Sequence, residues 1–422
     1  MELLSYVVNP DDPASERERA RQVDAVRQRL DHPKDAWTTN DRGERVWTKP
    51  PKNTAGNVRD VLRLDPAFRA RLRLNDFAGI IEWDGRMMED ADITEVRLAL
   101  ADLYRLRPSV TLMHEMMVYV ARELRVHPVR DWLTDIRWDG EPRMDRLLSH
   151  YAGCQDSDLN RTLSRRFMIS CVARVMQPGC KVDTVLILAG PQGYGKSTFF
   201  RALAGADWFR DSALDLRNKD AYMSLRGAWL YEMAELAAMR PRDAETVKAF
   251  LSAQVDHYRP PYGRNQVEQA RQCVFVGTTN EPSFLNDPTG ARRFWPATVV
   301  QMPRVGETER DREQLWAEAV VAYQSGERWW LELNETHALD DAHDQYRHED
   351  PWQPKVERWV EQPGNADGFT VEEVLNDAIQ KDADRQSKAD EMRIGGILTA
   401  MGFEKARRQV NGVRAWRWYR RE

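Results

Sequence analysis

Cysteine is scarce in this sequence: four in 422 residues, Cys154, Cys171, Cys180 and Cys273. They form no C-x-x-C pair and have no histidines at metal-ligand spacing. That excludes a zinc ribbon and a disulfide framework, and points to reduced thiols of a cytosolic protein. No apolar run approaches transmembrane length, so no membrane partner is expected. The start, MELLSYVVNPDDP, turns acidic and proline-bearing too early for a secretory leader. An excess of positive charge is missing as well. Lys and Arg number 62 against 67 Asp and Glu, for a net charge of −5. A globally basic nucleic-acid coat is therefore excluded, while local basic patches are not. No internal repeat or long low-complexity tract is evident, and the length is that of two to four domains.

What is present is glycine in one telling place. Residues 190–197 read GPQGYGKS and follow the apolar run Val185–Leu188 and Ala189. This is G-x-x-x-x-G-K-[ST] between a predicted strand and a predicted helix, the context a phosphate-cradling loop requires. Gly190, Gly193 and Gly195 let the backbone aim N–H groups at anionic oxygens, with Pro191, Gln192, Tyr194 and Thr198 completing the loop. The helix N-terminus adds partial positive charge. Lys196 reaches the β- and γ-phosphates, and the Ser197 hydroxyl ligates Mg²⁺. The expected ligands are ATP and Mg²⁺.

Four segments are expected. Residues 1–157 read as a mainly helical region for oligomerisation or accessory contacts, with helices at 15–30, 54–64, 93–105 and 109–125. Trp37 and Trp47 flank a hairpin turn, and 78–83 is a candidate strand. Asp90 and Asp92 stand where helix caps stand. Residues 158–330 alternate helix and strand, which indicates an α/β sheet with helices on its faces. Residues 331–368, broken by Pro351, Pro354 and Pro363, read as a helical connector. Residues 369–422 give two helices and two extended runs joined by Asn411-Gly412, a hairpin signal. Helices followed by a basic hairpin suggest a winged-helix-like module for DNA. Arg407, Arg408, Arg414 and Arg417, interleaved with Trp416 and Trp418, are its candidate phosphate contacts.

Downstream residues decide what the loop does. Glu232 and Glu235 end a strand and can hold Mg²⁺ through water or polarise the attacking water. Glu232 is favoured for the metal and Glu235 for the water. Asn280 ends a second strand and suits a sensor between the γ-phosphate and the acids. Arg292 and Arg293 follow a glycine turn and suit a guanidinium delivered to transition-state charge, in trans if subunits adjoin. Either arginine could instead pair with a carboxylate. Lys248, Arg259, Tyr262, Arg264 and Asn265 lie on a helix and a proline-stiffened segment that could grip a nucleic-acid backbone.

In order along the chain, GPQGYGKST, LRGAWLYEMAEL, VKAFLSAQVDHYRPPYGR, VFVGTTNEPSFLND and GARRFWP resemble the virulence-associated protein E family. These are the superfamily 3 helicase-like ATPases of phages and mobile islands. The upstream HPVRDWLTDIRWDGEPRMDRLL extends the resemblance. It implies an AAA+-type P-loop fold, a hexameric ring and translocation on single-stranded DNA. It assigns Lys196 and Ser197 to the Walker A roles, and Glu232 and Glu235 to the acidic ones. Asn280 becomes the sensor, Arg292 or Arg293 the finger, and 248–264 the segment bearing the DNA-contacting hairpin. Many relatives carry a primase-polymerase domain ahead of the helicase. No such catalytic set is visible in 1–157, so a separate primase is the expected partner. Two other readings stay open: an initiator or regulator that uses ATP only to assemble on DNA, and a nucleotide-switched defence factor.

Overall fold

A strand apolar on every residue has to be covered on both faces, and the computed structural model contains such a strand, flanked on both sides, inside a parallel sheet. Its described residues are 13–43, 45–212, 221–234, 244–258, 267–281, 291–343, 346, 350–365, 368–410 and 413–420. Six short strands come first: β1 (Trp37–Thr39), β2 (Arg45–Trp47), β3 (Leu72–Asn75), β4 (Ile80–Trp83), β5 (Arg86–Met87) and β6 (Arg125–Val126). Next come β7 (Val185–Ala189), β8 (Phe209–Arg210), β9 (Leu230–Ala234), β10 (Val255–Tyr258), β11 (Val267–Ala270), β12 (Val274–Thr279) and β13 (Phe294–Thr298). The central sheet has the order β13-β7-β12-β9-β8, and all its pairs are parallel.

Side chains alternate across β7, as a period of two demands. Leu186 and Leu188 enter a core with Phe167, Phe199, Trp229 and Trp316, from one face of the sheet and the helices Asp158–Met176, Lys196–Ala204 and Val305–Gln324. Val185, Ile187 and Ala189 enter a second core with Tyr231, Val247, Phe250 and Phe275, under the helix Ala244–Ser252. The buried indoles keep their N–H groups satisfied: Trp229 donates to Cys171 O (3.0 Å) and Trp316 to Leu203 O (2.8 Å).

The first segment has its own core, with Val58, Leu62, Trp83, Leu100, Met113 and Met117. Its buried Asp65 accepts both guanidinium nitrogens of Arg19 at 2.6 Å and the Tyr104 hydroxyl at 2.8 Å. Thr54 caps the helix Ala55–Leu64, and Asp92 closes the capping box that opens Asp90–Tyr104. Beside these helices lies a four-stranded sheet in the order β5-β4-β3-β6, of which sequence reading anticipated only the 78–83 strand. Strands of two to four residues are too short to print an alternating pattern. Trp37 pairs with Trp47 across the first hairpin.

At the other end, β14 (Phe403–Val410) pairs with β15 (Val413–Arg420), and Phe369 bridges Trp418 through two backbone hydrogen bonds. Asn411-Gly412 lies outside the described residues. The core here joins Phe369, Leu375, Ile394, Leu398 and Trp418 to Val356 and Trp359. The helix Gln353–Val360, placed in a connector by sequence reading, thus packs with the C-terminal segment. Pro354 occupies the first helical turn, where a missing N–H costs nothing.

Candidate active site

Parallel strands deliver their C-terminal ends to one edge of the sheet, and the loops beyond them meet there. The phosphate loop follows β7 at that edge. Gly193 and Gly195 have φ of 81° and 82°, a left-handed conformation that side chains resist. At Gly190 the restriction is space, since a Cβ would stand 2.9 Å from Val299 O. Gly195 caps the helix Lys196–Ala204, so the first N–H groups of that helix face the loop.

Lys196 is buried. Its ammonium donates to Gly190 O and Pro191 O at 2.8 Å and to Asn280 Oδ1 at 2.9 Å. Burial depresses its pKa, and the nearby Glu232 partly counters this. Ser197 Oγ donates to Glu232 Oε1 at 2.7 Å, and Thr278 Oγ1 donates to the same oxygen at 2.5 Å. Glu232 Oε2 is buried and has no hydrogen-bond partner among the described residues. An acidic oxygen left over beside a serine hydroxyl is what a hard cation requires of its protein ligands, the remaining positions falling to water and phosphate. The residues therefore fit Mg²⁺. Among the described residues no cluster of three or more His, Cys, Asp or Glu offers an all-protein metal cage.

Thr278 was missed by sequence reading, although a signal existed. Val274 and Val276 share the core beneath the phosphate-loop helix, and two residues further along that face comes Thr278. Val276 lies opposite Glu232 in the sheet register, so the next residue on that face reaches its carboxylate.

The two arginines separate. Arg293 is held, with Nε 3.6 Å from Asp183 Oδ2 and a terminal nitrogen 3.3 Å from Ser252 Oγ. Arg292 is exposed and makes no ion pair among the described residues.

Glu235, Arg259, Tyr262, Arg264 and Asn265 lie outside the described residues. The strands on either side of 259–266, β10 and β11, pair with each other, and the buried Arg271 that follows β11 meets Asp256 of β10 at 2.6 Å. Lys248 does not suit the nucleic-acid contact expected of it. It is only 9% exposed on the helix Ala244–Ser252, and a phosphate cannot reach a cation packed inward. Arg417 is likewise occupied, donating to Gly368 O at 2.7 Å and Glu373 Oε1 at 3.0 Å. Arg407 is exposed, and the side chains of Arg408 and Arg414 lie outside the described residues. No described helix is long and apolar enough to cross a membrane.

The chain belongs to the virulence-associated protein E-like family, whose domain model matches residues 133–348. No curated protein matches it. Among solved structures it is similar to the apo C-terminal region of NrS-1, at 11% identity and a TM-score of 0.42, over 82% of this chain and 95% of that one. An A-form apo structure of the same region gives 10%, 0.42, 83% and 96%. A Thermotoga maritima RuvB mutant gives 12% identity and a TM-score of 0.23, over 61% of this chain and 92% of that one.

Proposed function

We propose that this member of the virulence-associated protein E-like family is an ATP- and Mg²⁺-dependent DNA helicase of the superfamily 3 type. It would act in replication of a phage or mobile element, as a ring of identical subunits in the bacterial cytoplasm. The observation that carries the reading is the 2.7 Å hydrogen bond from Ser197 to Glu232, made where the first turn of the helix after the phosphate loop meets β9. It brings a metal-binding hydroxyl and an acid together beside Lys196 and Asn280.

In this reading the loop N–H groups and Lys196 bind the β- and γ-phosphates of ATP. Lys196 exchanges its two loop carbonyls for phosphate oxygens. Ser197 and Glu232 hold Mg²⁺, which when bound neutralises charge on the phosphates. Thr278 fixes the rotamer of Glu232. Asn280, whose carbonyl oxygen is turned to Lys196, presents its amide N–H₂ to the γ-phosphate or the attacking water. Glu235 serves as the water-activating acid. Arg292, exposed beside its anchored neighbour, reaches the site of the adjoining subunit.

The C-terminal segment supports a winged-helix reading through its order: helix (Gln353–Val360), bridge strand at Phe369, two helical segments, then β14 and β15. Its boundary accordingly moves upstream, to about residue 350. Duplex or single-stranded DNA is the expected partner, with priming left to a separate protein.

The test is strand displacement on forked DNA with the wild type and Glu232→Gln. Unwinding that needs ATP and Mg²⁺ and disappears in the variant supports the reading. DNA-stimulated hydrolysis with no displacement on any fork would favour an initiator that uses ATP to assemble.

A further inference from the structure

We propose that the groove between the helix Lys388–Ala400 and the hairpin β14–β15 is a seat for an unpaired nucleobase, with Trp416 as its stacking platform. This rests on the reading that the chain works on DNA, and names the form of DNA its C-terminal segment takes.

Trp416 is 56% exposed, whereas Trp418, two residues on and on the same face of β15, is buried in the core. One face of the hairpin therefore runs from the core into open space, ending on a bare indole. Both rings line a groove of about 640 Å³, a volume within the usual range for ligand pockets. Across it stands Met392, 72% exposed on the second turn of the helix. An aromatic ring and a flexible thioether lining one groove suit something flat and apolar on its faces.

The charges around the slot point to a nucleotide. Arg407 is directly opposite Trp416, and Lys405 directly opposite Trp418, so both cations share the face of the indoles. Lys388 lines the groove from the helix side. These three can follow a phosphate backbone while the base stacks. Glu372 and Glu391 also line it, and a carboxylate can accept from the exocyclic amino group of a base.

The same helix is poorly built to read a duplex. Besides Lys388, its exposed positions include Glu391, Met392, Gly396 and Thr399. Arg393 is committed to Asp350, at 2.7 Å through two nitrogens, and lies 3.9 Å over the Trp352 ring. A helix laid in a major groove would thus bring Glu391 towards phosphates with little to offset it. An unpaired strand meets the slot edge-on and avoids that repulsion.

The experiment measures binding of the full chain to a short fluorescein-labelled single strand and to a hairpin duplex, by anisotropy across a salt series. Trp416→Ala should weaken single-strand binding about 5- to 100-fold, the effect of removing a stacking platform, with Trp416→Phe largely restoring it. The salt slope should stay unchanged in both, because stacking releases no counterions. Arg407→Ala should reduce that slope by about 0.7. Met392→Ala tests the opposite wall without touching the hairpin and should also weaken binding. If Arg407→Ala lowers affinity while Trp416→Ala and Met392→Ala leave it intact, DNA binding stands and the base seat is overturned. Equal losses on duplex and single strand overturn the preference for an unpaired base. Absence of binding to either DNA overturns the underlying reading as well.

Discussion

Lys196 Nζ lies 2.9 Å from Asn280 Oδ1, a contact between residues 84 positions apart in the chain. It joins the phosphate loop to the end of β12, so the cation, which also donates to two loop carbonyls, is tied directly to the polar residue beside it. Lys196→Ala should lower ATP turnover by about 10²–10³-fold or more, because it removes the main point charge from the transferring phosphoryl group. Asn280→Ala should reduce turnover less, since the charge remains. Steady-state hydrolysis of both variants checks this, and near-normal turnover in Lys196→Ala would contradict the site.

Thr278 donates to the carboxylate that Ser197 also contacts. Thr278→Val keeps the shape and deletes the hydroxyl. A hydrogen bond to a charged acceptor contributes about 1.5–3 kcal/mol, so turnover should drop about tenfold or more. The Mg²⁺ concentration for half-maximal activity should rise, and Thr278→Ser should recover most of both. A magnesium titration in which Thr278→Val matches wild type would show the contact to be incidental.

The two arginines should give different phenotypes. Arg293→Ala removes the link to Asp183 and Ser252 and should lower the melting temperature, with a cost of about 1 kcal/mol for a partly exposed pair. Arg292→Ala should leave melting unchanged and cut turnover by up to about 10³–10⁵-fold, the value of a guanidinium supplied in trans. Mixing Arg292→Ala with Lys196→Ala subunits should restore some hydrolysis. A stable monomer with activity independent of protein concentration would rule out the shared site.

Where the C-terminal segment begins can be tested by truncation. Ending the chain at residue 368 leaves Val356 and Trp359 without the core they occupy. Ending it at 349 removes that helix together with its partners. The shorter protein should stay dispersed in size-exclusion chromatography while the longer one aggregates, because exposed apolar surface associates. The opposite outcome would return the helix Gln353–Val360 to a connector role.

Asp390 accepts from Lys381 Nζ at 2.6 Å and from the backbone N–H and hydroxyl of Ser387, which hold its carboxyl down to about 2. Its folded pKa lies below the ordinary 3.8, so its contribution is present above that value and is lost as pH falls towards 2. Asp390→Asn should therefore melt below wild type at pH 5, and the gap should narrow as the pH is lowered to about 3. A gap independent of pH would mean that the carboxylate charge is not its source.

The local sequence was enough to locate the glycine loop after β7 and four of the five strands of the central sheet, and to offer Glu232 as a candidate acid; β8, two residues long, left no pattern. A glycine pattern, an apolar run and a helix start are properties of neighbouring residues, and backbone sterics and water act on them wherever the chain goes. What surrounds that acid was decided by tertiary structure. Glu232 meets Ser197 and Thr278 from 35 and 46 positions away, and the parallel registers of β12 with β9 and with β7 bring them together. The same is true of the arginines. Nothing in the pair Arg292-Arg293 says which one Asp183 will hold, because that depends on how the start of β13 lies against the start of β7. Trp416 and Trp418 look equivalent in sequence, yet one is exposed and one buried. The core beneath the hairpin covers one end of β15 and stops before the other.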